Sequence, residues 1–442
     1  MLTCVAVSGY RSLREVVVPL HGLDVVRGAN GSGKSSLYRS LRLLAGCGRG
    51  DVVGTLAREG GLQSALWAGP ATLGGARRDG HAVQGTTRKS PISLRLGFAS
   101  DNFGYLVDLG LPQQGGDSGS AFLRDPEIKR EVVWSGPVMR PGSVLVRRRW
   151  SVVLTRSSSD DDGAAGVGVG VDSFDDWESD PVTDPGSSGR DRRPARGWSE
   201  LTRSLAPWQS MLTELADPQR APELLAVRRM MARWRFYDGF RVDADAPARR
   251  VQVGTRTAAL ADDASDLAAA LQTIRENGRS GLDAAVADAF QGAVLDVAVT
   301  DGRFDVHLHQ PGMLRPLSSA ELSDGTLRYL IWVAALLTVD PPPLMVLGEP
   351  ETSLHPDLIA PLARLIRSAA KRSQVMVVSH SATLIAALGI EAADGFDTDD
   401  EQGQVGLGTP ARAVTLEKNL GETLVPGQGL LRTPPWNWGS RR

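Results

Sequence analysis

The sequence predicts an α/β protein in which a largely parallel sheet flanked by helices is joined to an antiparallel β lobe and interrupted by a helical insertion. Three observations point there. The last third of the chain alternates apolar strand-length runs with helical periodicity, as parallel sheets require: helix over 324–338, strand 344–347, helix 356–370, strand 374–379, helix 381–388. Near the N-terminus a short apolar run, LDVVRG, leads straight into a glycine-rich turn and a helical pattern. Between about 92 and 154 the segments ISLRLGF, GYLVDLGL, EVVWSGPV and SVLVRRRWSVVL alternate in a way that suits antiparallel pairing with charged outer positions.

In chain order, residues 2–7 and 16–20 are β-branched runs separated by SGYRSLRE, which predicts two strands and a turn. LDVVRG is the third strand. The helix after it starts at Lys34 and Ser35, carries Leu37, Leu41 and Leu44 on one face and stops at Gly46. After the antiparallel segments the texture changes. Between Arg156 and Arg190 there is no Lys or Arg, there are nine acids, and GAAGVGVGVDS runs through the middle. Such a composition buries too little apolar area to offset ordering entropy, so 156–197 is expected to be a disordered acidic insertion. Residues 199–240 and 262–290 carry helical apolar faces, and strands resume at 294–299 and 303–309. The expected division is thus 1–155, the insertion 156–197, a helical insertion 198–292, and a closing α/β part 293–442. No repeat is evident, and the closing GQGLLRTPPWNWGSRR suggests no role.

Bulk properties remove several classes. A 442-residue chain with 42% hydrophobic and 23% charged residues is long enough for two or three cores. Its formal net charge of -2 gives no global basic field, so any nucleic-acid contact must be local. Only five of its 49 basic residues are Lys, and one of them is Lys34. Two cysteines and six scattered histidines form neither a disulfide framework nor a zinc pattern. The N-terminus lacks signal-peptide character, and no run approaches the roughly 18 apolar residues of a membrane span, so a cytoplasmic protein without a membrane segment is expected.

Chemistry concentrates in four places. Gly28, Ala29, Asn30, Gly31, Ser32, Gly33, Lys34 and Ser35 satisfy G-x-x-x-x-G-K-S/T between a strand and a helix, with Ser36 following. Backbone N–H groups of such a loop converge on phosphate oxygens at the positive end of a helix. Lys34 would then meet the β/γ-phosphates and Ser35 would offer its hydroxyl to Mg2+. The run LMVLGEPE delivers Glu349 to the C-terminal edge of a buried strand, where open α/β sheets bind ligands, so Glu349 is the candidate base for an attacking water. An Asp is expected just before it, yet Gly348 stands there, which predicts weakened metal handling, partly carried by Glu351, and slow hydrolysis. Ser379-His380 ends another apolar strand, which places His380 at the same edge. Ser323, Asp324 and Gly325 open a long apolar helix: Ser323 is an N-cap, and that helix end is also suited to phosphate, one held by a second subunit.

In this order the phosphate loop, LSDGT, EPETSLHPD and SH resemble the motif series of ABC-type P-loop NTPase heads. The long interval between loop and signature, and the opening SGYRSLREVVVPLHGLDVVRGANGSGKSS, resemble the RecF, SMC and OLD branch, and most of all the RecF-like bacterial ATPases of the AAA/ABC type. The resemblance implies ATP and Mg2+ as cofactors and a homodimer formed when ATP is bound, each nucleotide held between one copy's phosphate loop and the other's signature helix. It implies Lys34 and Ser35 on nucleotide and metal, Ser323 and Gly325 on the partner's γ-phosphate, Glu349 as base and His380 as sensor. The Gln loop is not identifiable; Gln209 is a weak candidate as metal ligand, with Gln113 behind it. Two functions follow: an ATPase whose dimerisation acts on DNA in repair or defence, or a nucleotide switch recruiting a protein effector with negligible turnover. Local support for DNA is Val227–Arg241, where Arg228, Arg229, Arg233, Arg235 and Arg241 interleave with Trp234, Phe236 and Tyr237. The competing expectation for that stretch is an amphipathic helix with solvated arginines and a core-facing aromatic edge.

Overall fold

The computed structural model describes residues 1–70, 93–112, 122, 124–156, 197–215, 217–277, 281–390, 410–428 and 433–439. Apart from its two end residues, the acidic stretch 156–197 lies outside the described residues, as does Gln113. The chain forms two compact units: Met1–Leu20, Gly31–Ala232 and Leu416–Arg442 make the first, His21–Asn30 and Arg233–Thr415 the second.

The first unit is built on an eight-stranded antiparallel sheet. Its order is Leu13–Pro19, Leu2–Tyr10, Leu94–Ser100, Phe103–Gly110, Glu127–Ser135, Val144–Arg149, Val152–Arg156 and Trp198–Thr202. The antiparallel lobe expected from alternation is therefore present, and the first two strands belong to it. Its central strands are covered on both faces: in Phe103–Gly110 every residue after the first is buried. Charge is consequently not confined to outer positions as the alternation suggested, since Glu131 and Arg148 lie inside the lobe as a pair 2.9 Å apart. Trp436 and Trp438 of the tail, unreadable as sequence, are part of this unit's core. Trp436 packs at 5.5 Å from Trp134, and Arg130 Nη1 donates to the Trp438 carbonyl at 2.6 Å. The helix Lys34–Arg49 belongs here too and passes so close to the helix Pro222–Ala232 that a Cβ at Gly48 would come within 2.8 Å of Met231.

The second unit holds a five-stranded, all-parallel sheet of order Arg235–Asp238, Leu344–Gly348, Gln374–Val378, Leu23–Arg27, Ala411–Thr415. The helices Asp324–Leu336, Ile359–Ala370 and Ala382–Ala387 fall where their periodicity placed them. A hairpin of Val294–Thr300 with Arg303–His309 matches the strands expected there. One expectation fails. Residues 199–240 are not helical throughout, because Trp198–Thr202 and Arg235–Asp238 are strands and, among the described residues, only Met211–Glu214 and Pro222–Ala232 are helices. The reason lies in the aromatics: Trp234, Phe236 and Tyr237 are each 0% exposed, and a β-branched or aromatic run is more readily accommodated on a pleated, fully covered strand than on a solvated helix. These rings are buried and are not available to stack on bases. Arg233 and Arg241 are engaged locally, by Asp340 at 2.6 Å and Asp243 at 2.7 Å.

Candidate functional site

The site in the second unit follows from strand register. Gly348 pairs with Val378, and Val378 pairs with Val26, so three parallel strands end side by side. The residues that leave this common edge are Glu349, the Ser379-His380 pair, and Gly28 with Ala29 and Asn30. Two bonds lock the exits: Glu349 N–H donates to the Val378 carbonyl at 2.7 Å, and Ser379 N–H to the Val26 carbonyl at 3.1 Å. Glu349 adopts φ 46°, a left-handed conformation unfavourable for a residue with a side chain. The strand thus turns sharply and presents the carboxylate outward.

His380 is half exposed, with Nδ1 3.6 Å from Glu349 Oε1 and 3.9 Å from Glu351 Oε1. Glu351 is far less accessible, its side chain 9% exposed. One of its oxygens accepts from Ser379 Oγ at 2.6 Å, while Oε2 is buried with no hydrogen-bond partner. A buried carboxylate oxygen left without a donor costs about 1–3 kcal/mol, which marks a place that a cation or a proton donor would complete.

The signature-like segment stands on the same unit. Ser323 caps the helix Asp324–Leu336 by accepting from Thr326 N–H at 3.2 Å, as its sequence position implied. Ser323 and Asp324 are exposed. What sequence reasoning missed is Arg249. Its Nη2 meets Asp324 Oδ1 at 2.6 Å, its Nη1 donates to the Leu322 carbonyl at 2.7 Å and Ser319 at 3.1 Å, and Nε donates to the Val242 carbonyl at 2.9 Å. Arg328, one turn into the helix, donates to the Phe240 carbonyl at 3.0 Å, and burial holds its guanidinium below its ordinary pKa. One buried arginine and one half-buried arginine therefore fix the loop that carries Ser323–Gly325 to the segment after Asp238. The Arg pair in APARR gave no pattern from which to infer this.

The phosphate loop crosses from the second unit into the first between Asn30 and Gly31. Within the first unit Gly33 has φ 107° and caps the helix that begins at Lys34. A Cβ there would lie 2.2 Å from Thr423 Oγ1, so only glycine fits. Thr423, fully buried, donates from Oγ1 to the Ser32 carbonyl at 2.8 Å and so props the loop open from the far end of the chain. Lys34 is 6% exposed, and Ser32 Oγ is buried without a partner. Taken each by itself, the orphaned Ser32 Oγ of the first unit fits a phosphate oxygen and the orphaned Glu351 Oε2 of the second fits a cation. Among the described residues no cluster of three or more His, Cys, Asp or Glu side chains is able to hold a metal by itself, so a cation here would be one that phosphate oxygens help to hold. Gln209 lies in the first unit, where its Oε1 accepts from Ala206 N–H at 3.2 Å within its own turn. No helix among the described residues is long and apolar enough to cross a membrane.

The fold is an α/β one with a parallel sheet and an antiparallel β lobe, and a G-x-x-x-x-G-K-S/T motif stands at the exit of one parallel strand. Residues 175–386 match a family described as "AAA domain, putative AbiEii toxin, Type IV TA system". The matched span is shorter than half of the 442 residues; it contains the signature helix, Glu349 and His380 but begins after the phosphate loop. Among solved structures the chain is similar to the SMC head domain from Thermotoga maritima, with 11% identity, 96% of this chain and 97% of that chain covered, and a TM-score of 0.41. It is also similar to an SMC head with an extended coiled coil bound to the C-terminal domain of ScpA, derived from Pyrococcus furiosus. There the identity is 11%, the coverage 97% and 98%, and the TM-score 0.43. No curated protein matches.

Proposed function

We propose that this chain is an ATP-binding, slowly hydrolysing ATPase of RecF/SMC-like type that closes on a second copy of itself when ATP is bound. The register of Val26, Val378 and Gly348 carries the proposal, because it delivers the start of the phosphate loop, His380 and Glu349 to one sheet edge. In this reading the loop from Gly28 to Ser36 holds the phosphates, Lys34 offsets their charge and Ser35 faces Mg2+. Glu349 orients or deprotonates the attacking water, and His380, within 3.6 Å of it, shares the proton or holds the γ-phosphate. A metal ion held with the help of Ser35 would supply positive charge that offsets the phosphates. The exposed Ser323–Gly325 helix end reaches the partner's γ-phosphate. Gly348 removes one carboxylate from the usual set, and slow turnover follows.

The experiment is nucleotide-dependent sizing of the full chain. A monomer without nucleotide and a dimer with ATP are expected, with Lys34→Ala losing both ATP binding and dimerisation; a size indifferent to ATP rejects the proposal. The second reading, a nucleotide switch that recruits a protein effector, is favoured by Gly348. It predicts equal background hydrolysis in wild type and Glu349→Gln. Action on DNA in repair or defence draws its support from family resemblance and from the toxin-system wording of the matched family, since the aromatics of Val227–Arg241 are buried. A salt titration of DNA binding with and without ATP tests it, and no binding even at low salt rejects it.

A further inference from the structure

We propose that Asp238 supplies the carboxylate that position 348 lacks, so that the cation accompanying the nucleotide is held from the neighbouring strand. The inference rests on the ATP-binding reading above. Asp238 is the last residue of its strand and pairs in parallel register with Gly348. Laterally paired residues of a pleated sheet project to the same face, and neighbouring strands lie about 5 Å apart. The side chain of Asp238 therefore leaves the sheet on the face where a carboxylate at 348 would have pointed, one strand over. Gly348 has no side chain to occupy the space between.

The facing of this strand is fixed by the residue before it. Tyr237 is fully buried toward the opposite face, donates from its hydroxyl to the Leu260 carbonyl at 3.0 Å, and packs tilted against Phe240 and edge-on to Trp332 with ring centroids 5.5 and 6.4 Å away. Turning Asp238 inward would expel that ring from the core. Beyond it Gly239 takes φ 64°, so the chain bends away and leaves Asp238 as the outermost side chain of the strand. Asp238 is only half buried.

A second observation at the same edge fits a cation ligand. Glu351, on the loop leaving Gly348, keeps Oε2 buried without a hydrogen-bond partner while Oε1 is taken by Ser379. A hard divalent cation that keeps several waters and takes one or two carboxylates with phosphate oxygens suits Asp238 and Glu351 better than a cage of protein ligands.

The test uses the full chain and measures affinity for a fluorescent ATP analogue in EDTA and in Mg2+, together with Mn2+ binding to the nucleotide complex by electron paramagnetic resonance. Asp238→Asn is expected to leave the affinity in EDTA unchanged. The gain in affinity produced by Mg2+ and the affinity for Mn2+ are expected to fall about tenfold or more. Adding Gly348→Asp to Asp238→Asn is expected to restore both. An Asp238→Asn variant that retains the full Mg2+ gain overturns the inference, and so does a double variant that recovers nothing. Loss of affinity equally in EDTA and Mg2+ also overturns it, by showing a merely structural role. If wild type binds no analogue even in EDTA, it is the ATP-binding reading itself that fails.

Discussion

Two carboxylate centres of this molecule are used in opposite ways. In the antiparallel lobe Glu131 is 0% exposed and accepts from Tyr105 Oη at 2.7 Å, Ser210 Oγ at 2.5 Å, Met211 N–H at 2.9 Å and Arg148 Nη1 at 2.9 Å. Arg148 spends its other donors on the carbonyls of Trp150, Ala206 and Gln209. Burial, with Cys47 and Glu131 close by, drives the Tyr105 phenol well above its ordinary pKa, so it stays a neutral donor. Every position around Glu131 is filled. At the parallel-sheet edge Glu349 and His380 are about half exposed and 3.6 Å apart, and Glu351 keeps an oxygen with no partner. A saturated network specifies packing, whereas an unsaturated one at a strand end leaves valence for a ligand.

The comparison is broken most directly in the saturated centre. Arg148→Met leaves Glu131 charged, buried and short of one donor, and is expected to destabilise the first unit by about 3–5 kcal/mol in chemical denaturation. A loss below roughly 1 kcal/mol would show that the network is not a structural keystone. Next in size is Glu349→Gln, expected to lower ATP hydrolysis by about 10²–10⁴-fold, as loss of a general base does. Its stability should remain within about 0.5 kcal/mol of wild type. Single-turnover hydrolysis and a melting curve on the same sample separate the two effects. Smaller again is Arg249→Ala, which orphans the carbonyls of Ser319 and Leu322 and frees Asp324, for an expected cost of about 1–3 kcal/mol. ATP affinity of the monomer should persist while ATP-dependent dimerisation weakens. Lys at 249 should rescue little, since an ammonium cannot reach carbonyls and carboxylate in a planar fork.

Much of this was legible in the chain, and the limits have physical causes. The glycine loop, the Glu349 strand and the His380 strand were readable because each sits at a boundary where periodicity changes, and the signature helix because Ser323 caps a long apolar run. The strand Arg235–Asp238 was not, since RWRFYD is too short to display a period and continues a helical pattern from Pro222. Missing that strand hid Asp238 beside Gly348 and turned three core aromatics into apparent base-stacking groups. Arg249 and Thr423 act through carbonyls distant in sequence, and hydrogen bonds of that kind leave no local signature. Thr423 reaches Ser32 across 391 positions.

The smallest prediction isolates the backbone of the unsaturated centre. Glu349→Ala and Glu349→Gly both remove the carboxylate and its half-exposed pairing with His380, so whatever that pairing contributes cancels between them. They differ at φ 46°, where a Cβ costs about 1–2 kcal/mol and glycine pays only its larger unfolded-state entropy of about 0.4–1 kcal/mol. The bend is held by the bonds from Glu349 N–H to Val378 and from Thr352 N–H to the Glu349 carbonyl at 3.0 Å, which do not involve the side chain and keep the conformation in both variants. Glycine is therefore expected to be the more stable by up to about 1 kcal/mol in thermal or chemical denaturation, the reverse of the usual order. Alanine equal to or better than glycine would mean that the strand end relaxes once the carboxylate is gone, and that the bend serves the side chain rather than being imposed by the sheet.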